Sequence, residues 1–139
     1  MANKTFLGSV HRNQPEQRER IAGLPLTPGM LAQENAEALV PHTDAGFVLV
    51  VKELTAAFDA DGGLTTDYQL GDTAQAYIPT SGDMYRMLVA AGQNVVQDSP
   101  LASNGEGLLV VTADLATAVA YADEAVGTTD TTPVRVRFK

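Results

Sequence analysis

Residues able to do chemistry are sparse in this 139-residue chain. Asp59-Ala60-Asp61-Gly62 has the acid–x–acid–Gly opening of a calcium loop, where alternate carboxylates turn toward one cation. Such a loop needs a bidentate carboxylate at its twelfth position, and counting from Asp59 that position is Leu70. The segment therefore reads as a turn. The two histidines, His11 and His42, lie far apart, with no second histidine or carboxylate at metal-ligand spacing and no G-x-S-x-G elbow to supply a nucleophile. Asn104-Gly105-Glu106-Gly107 carries a Gly-x-Gly that could let backbone amides approach a phosphate. A phosphate loop must open a helix, however, and Leu108 to Val111 reads as strand, so this segment is expected to be a hairpin turn. Asp83 and Glu106 have no spacing that would pair them as acid and base. No cysteine is present, which excludes disulfides, zinc–thiolate sites and thiol nucleophiles. The expectation is a protein with no catalytic residue, no metal and no cofactor.

The segments that would have to position any site are short. From Ala76 to Val111, apolar pieces (Met87-Leu88-Val89, Val95-Val96, Leu108 to Val111) alternate with turn chemistry at Ser81-Gly82-Asp83, Ala91-Gly92-Gln93, Asp98-Ser99-Pro100 and Asn104-Gly105. That spacing leaves no room for helices of ordinary length and predicts a barrel or sandwich of short strands. Gly46 to Val51 is an apolar, β-branched run suited to burial on both faces. Thr73 to Ile78 alternates as a strand and is closed by Pro79, and Leu64 to Tyr68 is a candidate strand leading back from the Asp59–Gly63 turn. Met30 to Leu39 has some helical character cut short by Pro41, enough for a single turn or an edge segment. Ala113 to Val126 is rich in alanine, yet Thr117, Val119 and Tyr121 alternate with Ala118, Ala120 and Ala122, which favours one strand. Gly127 to Pro133 is then a polar turn. Val134-Arg135-Val136-Arg137-Phe138 alternates cleanly, apolar on one face and arginine on the other, and reads as an edge strand.

With 45% hydrophobic residues, 6% aromatics and no Trp, the core must be built from Val, Leu, Ala and a few larger side chains. Length and composition fit one domain with a modest core. Residues 1–20 carry four basic residues against two acidic ones, whereas the remainder carries five against fifteen. An acidic body argues against nucleic acid as a partner, because phosphate contact needs a basic face. No apolar run is long enough for a membrane helix, and the N-terminus lacks the apolar core of a secretory signal. Residues 1–20 show no sustained periodicity. They are expected to form an extended N-terminal arm, with residues 21–139 as the β domain. In that arm Phe6, Leu7 and Val10 are the apolar anchors, and Arg12, Arg18 and Arg20 the charges available to an acidic partner surface.

Thr27-Pro28-Gly29-Met30, Gly71-Asp72, the run AGQNVVQDSPLASNGEG and the closing VRVRF, in that order, resemble the capsid decoration (cement) proteins of tailed phages. The resemblance covers Ile21 to the end and implies a mainly β, β-tulip-like barrel or sandwich of the lambda-type head decoration family. It further implies a structural virion protein on the outer capsid surface, made in the host cytoplasm. Its partner would be the major capsid protein, commonly with three copies associating as a homotrimer. Arg135 and Arg137 on the last strand are then candidates for self-association. A tail or fibre component is the structural alternative. The spacing of glycine, valine and Pro-Leu is also similar to biotinyl or lipoyl carrier domains. Those present a lysine at a hairpin tip, and none of Lys4, Lys52 and Lys139 sits in such a place.

Overall fold

A computed structural model describes residues 5–8, 15–43, 46–53 and 67–139. Its elements are all strands: β1 (Phe6–Gly8), β2 (Gln17–Ala22), β3 (Leu31–Asn35), β4 (Ala38–Pro41), β5 (Leu49–Val51), β6 (Thr73–Tyr77), β7 (Met84–Val89), β8 (Gln93–Val95), β9 (Pro100–Ser103), β10 (Leu109–Val111), β11 (Ala120–Ala122), β12 (Val126–Thr128) and β13 (Thr132–Phe138). No helix occurs among the described residues, as the tight turn spacing requires. The expected mainly β, barrel-like fold of a small domain is the one observed.

Two rings of strands make up the body. The smaller is a closed barrel in the order β2-β4-β3-β5-β6. In the larger, β7, β10, β9, β11 and β13 pair in sequence, and β13 returns to β7 along Thr132–Arg137 to close the circuit. β1 is added to β7 beside β10, and β8 and β12 form a separate two-stranded ribbon.

Alternation along each strand assigns its side chains to one core or the other. Ala22, Ala32, Leu39, Leu49, Val51, Ala74 and Ala76 fill the smaller ring together with Leu26 and Tyr68. A five-stranded barrel is narrow, and the four alanines are the side chains that fit its axis. Leu31, Val50 and Tyr77 leave the same strands on the opposite side and join the core of the larger ring, with Tyr85, Met87, Leu101, Leu109, Val134 and Val136. β3, β5 and β6 are thus a wall shared by the two cores. That is why Gly46–Val51 reads as buried on both faces: Leu49, Val50 and Val51 are all buried.

Two glycines hold the wall against the larger ring. In Thr27-Pro28-Gly29-Met30 the Met30 N–H donates to Thr27 O at 3.0 Å, and Gly29 takes the φ of +90° that the third residue of a type II turn needs. Its N–H reaches Val51 O and its carbonyl receives Leu88 N–H, both at 3.0 Å, so the turn ties β5 to β7. Gly107, at φ +87°, is buried where the β9–β10 hairpin meets β3 and β4. There it accepts Leu31 N–H at 2.8 Å and donates to His42 O at 3.0 Å. The hairpin turn expected at Asn104–Gly107 is present, closed by the Asn104 side chain accepting from Glu106 N–H and Leu108 N–H.

Several expectations are corrected. The division of the chain at residue 20 does not match the described structure: Phe6–Gly8 is part of the larger sheet, and β2 runs from Gln17 through Ala22 across that boundary. Met30–Leu39 is no helical turn but most of a β3–β4 hairpin, with Ala36 and Glu37 both at positive φ in its two-residue turn. Ala113–Val126 is interrupted. Asp114 captures Ala116 N–H and Thr117 N–H in a local turn, β11 occupies only Ala120–Ala122, and β12 begins at Val126. The Gly127–Pro133 turn shrinks accordingly to the residues between β12 and β13. β13 is not an edge: it pairs with β7 on one side and with β11 on the other. The Asp59–Gly63 turn and Leu64–Thr66 lie outside the described residues.

Candidate functional site

Among the described residues, charged side chains converge on an apolar opening at one end of the smaller barrel. In β2, Arg18 lies opposite Ala76 and Arg20 opposite Ala74, and both alanines are fully buried in the barrel. Cross-strand partners share a face, so both arginines project from the inward side of β2, as Ala22 does further along. Glu34 is inward on β3 for the same reason, being opposite buried Leu39. The three meet at the barrel mouth: Arg18 Nε is 2.8 Å from Glu34 Oε1, and Arg20 Nε is 3.6 Å from Oε2. Arg18 and Glu34, with Phe47, Leu49 and Ile78, line a cavity of about 300 Å³. Phe47 is 71% exposed, the most exposed large apolar side chain among the described residues.

One carboxylate serves two guanidinium groups in this cluster, and Glu19 and Glu37 line a separate cavity together with Arg20. The contacts are half-exposed, with 27–46% of each side chain accessible, and contribute little to stability as ion pairs. Arg20 Nε and Glu34 Oε1 are nevertheless both shielded from solvent without a well-aligned hydrogen-bond partner among the described residues. The backbone around the mouth is firmly held, since β2 pairs with β6 from Gln17 to Ile21.

The remaining polar groups are structural in their geometry. His42 is buried, its Nδ1 3.0 Å from Ser103 Oγ. The Ser103 hydroxyl donates to Thr43 O at 2.8 Å and accepts Gly105 N–H at 3.1 Å. Its proton is committed to a carbonyl, and no carboxylate among the described contacts orients the imidazole, so the pair fastens a loop. Two buried carboxylates flank an aromatic cluster of Phe6, Tyr77, Tyr85 and Phe138, whose ring centroids lie 5.3–5.8 Å apart. Asp83 Oδ2 accepts the Tyr85 hydroxyl at 3.2 Å, and Glu53 Oε2 accepts Thr5 N–H at 2.9 Å. Burial, reinforced by Asp83, drives the Tyr85 phenol far above its ordinary range; burial and Glu53 do the same to Tyr77. Tyr68 is pushed up to about 12, mainly by burial. No group of three or more His, Cys, Asp or Glu that could hold a metal occurs among the described residues.

The sequence-derived candidates are dispersed. Phe6 packs into the aromatic cluster of the larger core, where it acts as part of the fold. Leu7 is half-buried in β1, and Val10 and Arg12 lie outside the described residues. Arg18 and Arg20 come together at the mouth. Arg135 bonds Asp123 Oδ2 at 3.1 Å and Asp123 O at 3.0 Å, while Arg137 is 3.6 Å from Asp98. Both therefore have acidic partners within their own chain. Gln97 first, then Arg135, holds the Asp123 carboxyl below its usual range. Glu34, Phe47, Leu49 and Ile78 escaped the sequence reading. Their signal was the parity shared by Arg18, Arg20 and Ala22 on one strand and by Ala32 and Glu34 on another.

No protein-family model matches the chain, and no curated protein sequence does. Among solved structures, the N base of the head fiber gp8.5 of bacteriophage phi29 is similar, with a TM-score of 0.57. The match spans 89% of this chain and 93% of that one at 15% sequence identity, so the likeness is one of fold.

Proposed function

We propose that this protein is a structural component of a tailed-phage virion that docks on the outer surface of the head as a decoration or cement protein. The observation that carries the reading is the fold shared with a phage head fiber base over nearly the whole chain, at 89% coverage. The order of turn and strand motifs from Thr27 to Phe138 supports it. The major capsid protein is the proposed partner, with three copies associating on the shell and no catalytic step required. Docking at the joints between capsid subunits would add contacts that must break before the shell opens. A specific interface of ordinary size buries roughly 1,600 Å² in total, and repetition over the shell multiplies its effect. Arg18 and Arg20, partly exposed at the barrel mouth, are the retained candidates for that contact.

The same likeness favours a second reading, the base of a fiber anchored on the head. Cryo-electron microscopy of purified particles tests both. A compact knob on the shell supports decoration, and density continuing outward into a shaft supports the fiber base. Location in the tail, or absence from particles, would refute both.

A further inference from the structure

We propose that the outer edge of β2 at Gln17–Glu19 is a strand-addition site, taking an extended segment of a partner protein in which basic and apolar residues alternate. Hydrogen-bond parity sets the first requirement. Glu16 O accepts Ile78 N–H at 2.8 Å, and Ala22 N–H donates to Asp72 O at 2.8 Å, so the even-numbered residues turn their backbone groups toward β6. Odd-numbered residues turn theirs to the opposite edge, where Gly23 N–H reaches Leu39 O at 2.8 Å. β4 runs parallel to β2 and covers that edge only at Ile21 and Ala22. Gln17 and Glu19 therefore extend past the β3–β4 hairpin tip, and among the described residues no strand pairs with them there. Glu19 O is capped instead by a side chain, Arg20 Nη1 donating to it at 3.0 Å. An extended backbone is the partner whose donors and acceptors match such an edge.

Charge sets the second requirement. Glu19 and Glu37 line the adjoining cavity of about 380 Å³ with Arg20, Ile21 and Thr73. Arg20 is already paired with Glu34, so the concavity is acidic on balance, and Ile21 within it is 51% exposed. Side chains of an added strand alternate between its two faces. Those on the side of Glu19 and Glu37 suit Lys or Arg; those turned to the barrel mouth, where Phe47 is exposed, suit Val or Leu. Charge along an open edge also deters indiscriminate pairing, which makes the site selective. Arg20 then acts as a plug, holding the carbonyl that an incoming N–H would take. Removing it strengthens binding, a result that general loss of structure cannot produce.

The inference rests on the reading that this protein docks on another protein, and on nothing particular to a phage shell. The test is amide hydrogen exchange with NMR titration of the full-length protein, using the peptide acetyl-Lys-Val-Lys-Val-Lys-amide, its Glu-for-Lys analogue and its fully N-methylated analogue. In the free protein the Gln17 and Glu19 amides should exchange at least about tenfold faster than those of Arg18 and Arg20. The Lys peptide should slow both about fivefold, with saturable shifts at Gln17, Glu19 and Glu37, and either analogue should bind at least about tenfold more weakly. Gln17→Pro deletes an edge-facing N–H without touching the β6 ladder, so it should melt with the parent and weaken the peptide about fivefold. Glu37→Lys should weaken it similarly, and Arg20→Met should tighten it about threefold. Overturning results are Gln17 and Glu19 amides as protected as their neighbours in the free protein, equal response to either analogue, no response up to tens of millimolar, a Gln17→Pro variant that unfolds, or binding by Arg20→Met that is unchanged or weaker. Sedimentation equilibrium covers the other occupant: self-association abolished by Gln17→Pro would assign the edge to a second copy and overturn the partner assignment. Peptide binding retained in a protein that fails to bind heads would count against the shell reading alone.

Discussion

Phe6→Ala tests whether the N-terminal residues belong to the fold or only hang from it. Phe6 pairs with Tyr85 in β7, and its ring lies 5.4 Å from Tyr85 and 5.8 Å from Tyr77. Truncating a fully buried Phe to Ala costs about 3–5 kcal/mol, and Phe6 is half-buried, so about half of that applies. Two lost aromatic contacts raise the figure toward the upper end, giving about 2–3 kcal/mol. Loosening β1 also frees Thr5, whose N–H donates to the buried Glu53 carboxylate at 2.9 Å and whose carbonyl accepts Arg86 N–H at 2.7 Å. For a domain of this length about 1 kcal/mol corresponds to roughly 3–4 °C, so the melting temperature should fall by about 8 °C. The assay is calorimetry with urea unfolding followed by circular dichroism. The urea midpoint should drop with the slope unchanged, since one side chain alters little of the area exposed. Leu7→Ala, half-buried on the other side of the strand, should cost less than half as much. If Phe6→Ala melts within 2 °C of the parent, or Leu7→Ala costs as much, the aromatic cluster does not hold β1.

Three further outcomes are expected. Gly107→Ala should destabilise by about 2–4 kcal/mol in urea unfolding, because the new Cβ meets Leu31 O at 3.1 Å and Pro41 Cβ at 3.0 Å and its φ is +87°. The new Cβ would also meet Met30 Cε at 2.5 Å, which can swing away, whereas the other two contacts cannot. Tyr68, Tyr77 and Tyr85 all have folded-state pKa values above the ordinary 10.0. Their contribution is therefore complete below pH 10 and lost as pH rises through the folded values, so absorbance at 295 nm should show delayed ionisation coinciding with loss of structure. Val136→Asp should abolish cooperative unfolding, since the side chain is fully buried and an unpaired buried charge costs several kcal/mol; a soluble variant with a sharp melt would show that β13 faces otherwise.

Alternation and turn chemistry revealed the class of the fold but not its closure. Val134, Val136 and Phe138 are buried and Arg135 and Arg137 exposed, as their pattern requires. Burial pattern reports the direction perpendicular to a sheet, whereas pairing runs within it, which is why β13 looked like an edge and has neighbours on both sides. Residues Gln17–Arg20 looked unstructured for a related reason. Their inward positions carry arginine because they lie at the end of the barrel, where the axis opens to water, and a strand without apolar residues on either face has no visible period. Phe6 was similarly hidden: an isolated aromatic in a polar stretch gains its partners only from Tyr77 and Tyr85, some seventy residues away. Arg18 and Arg20 were legible as a pair of charges. Their convergence on Glu34 depends on ring closure and could not be read locally.

The wall shared by the two rings has a mechanical consequence. Leu49, Val50 and Val51 face alternately into one core and the other, so neither ring can swing or slide without tearing apolar contacts from both. A load applied at the barrel mouth passes through β3, β5 and β6 directly into the larger ring, with Gly29 and Gly107 stitched across the seam by backbone hydrogen bonds. The molecule behaves as a single stiff rivet: strain at one end is felt at the other as displacement of the whole body, and yielding must begin by pulling strands out of register.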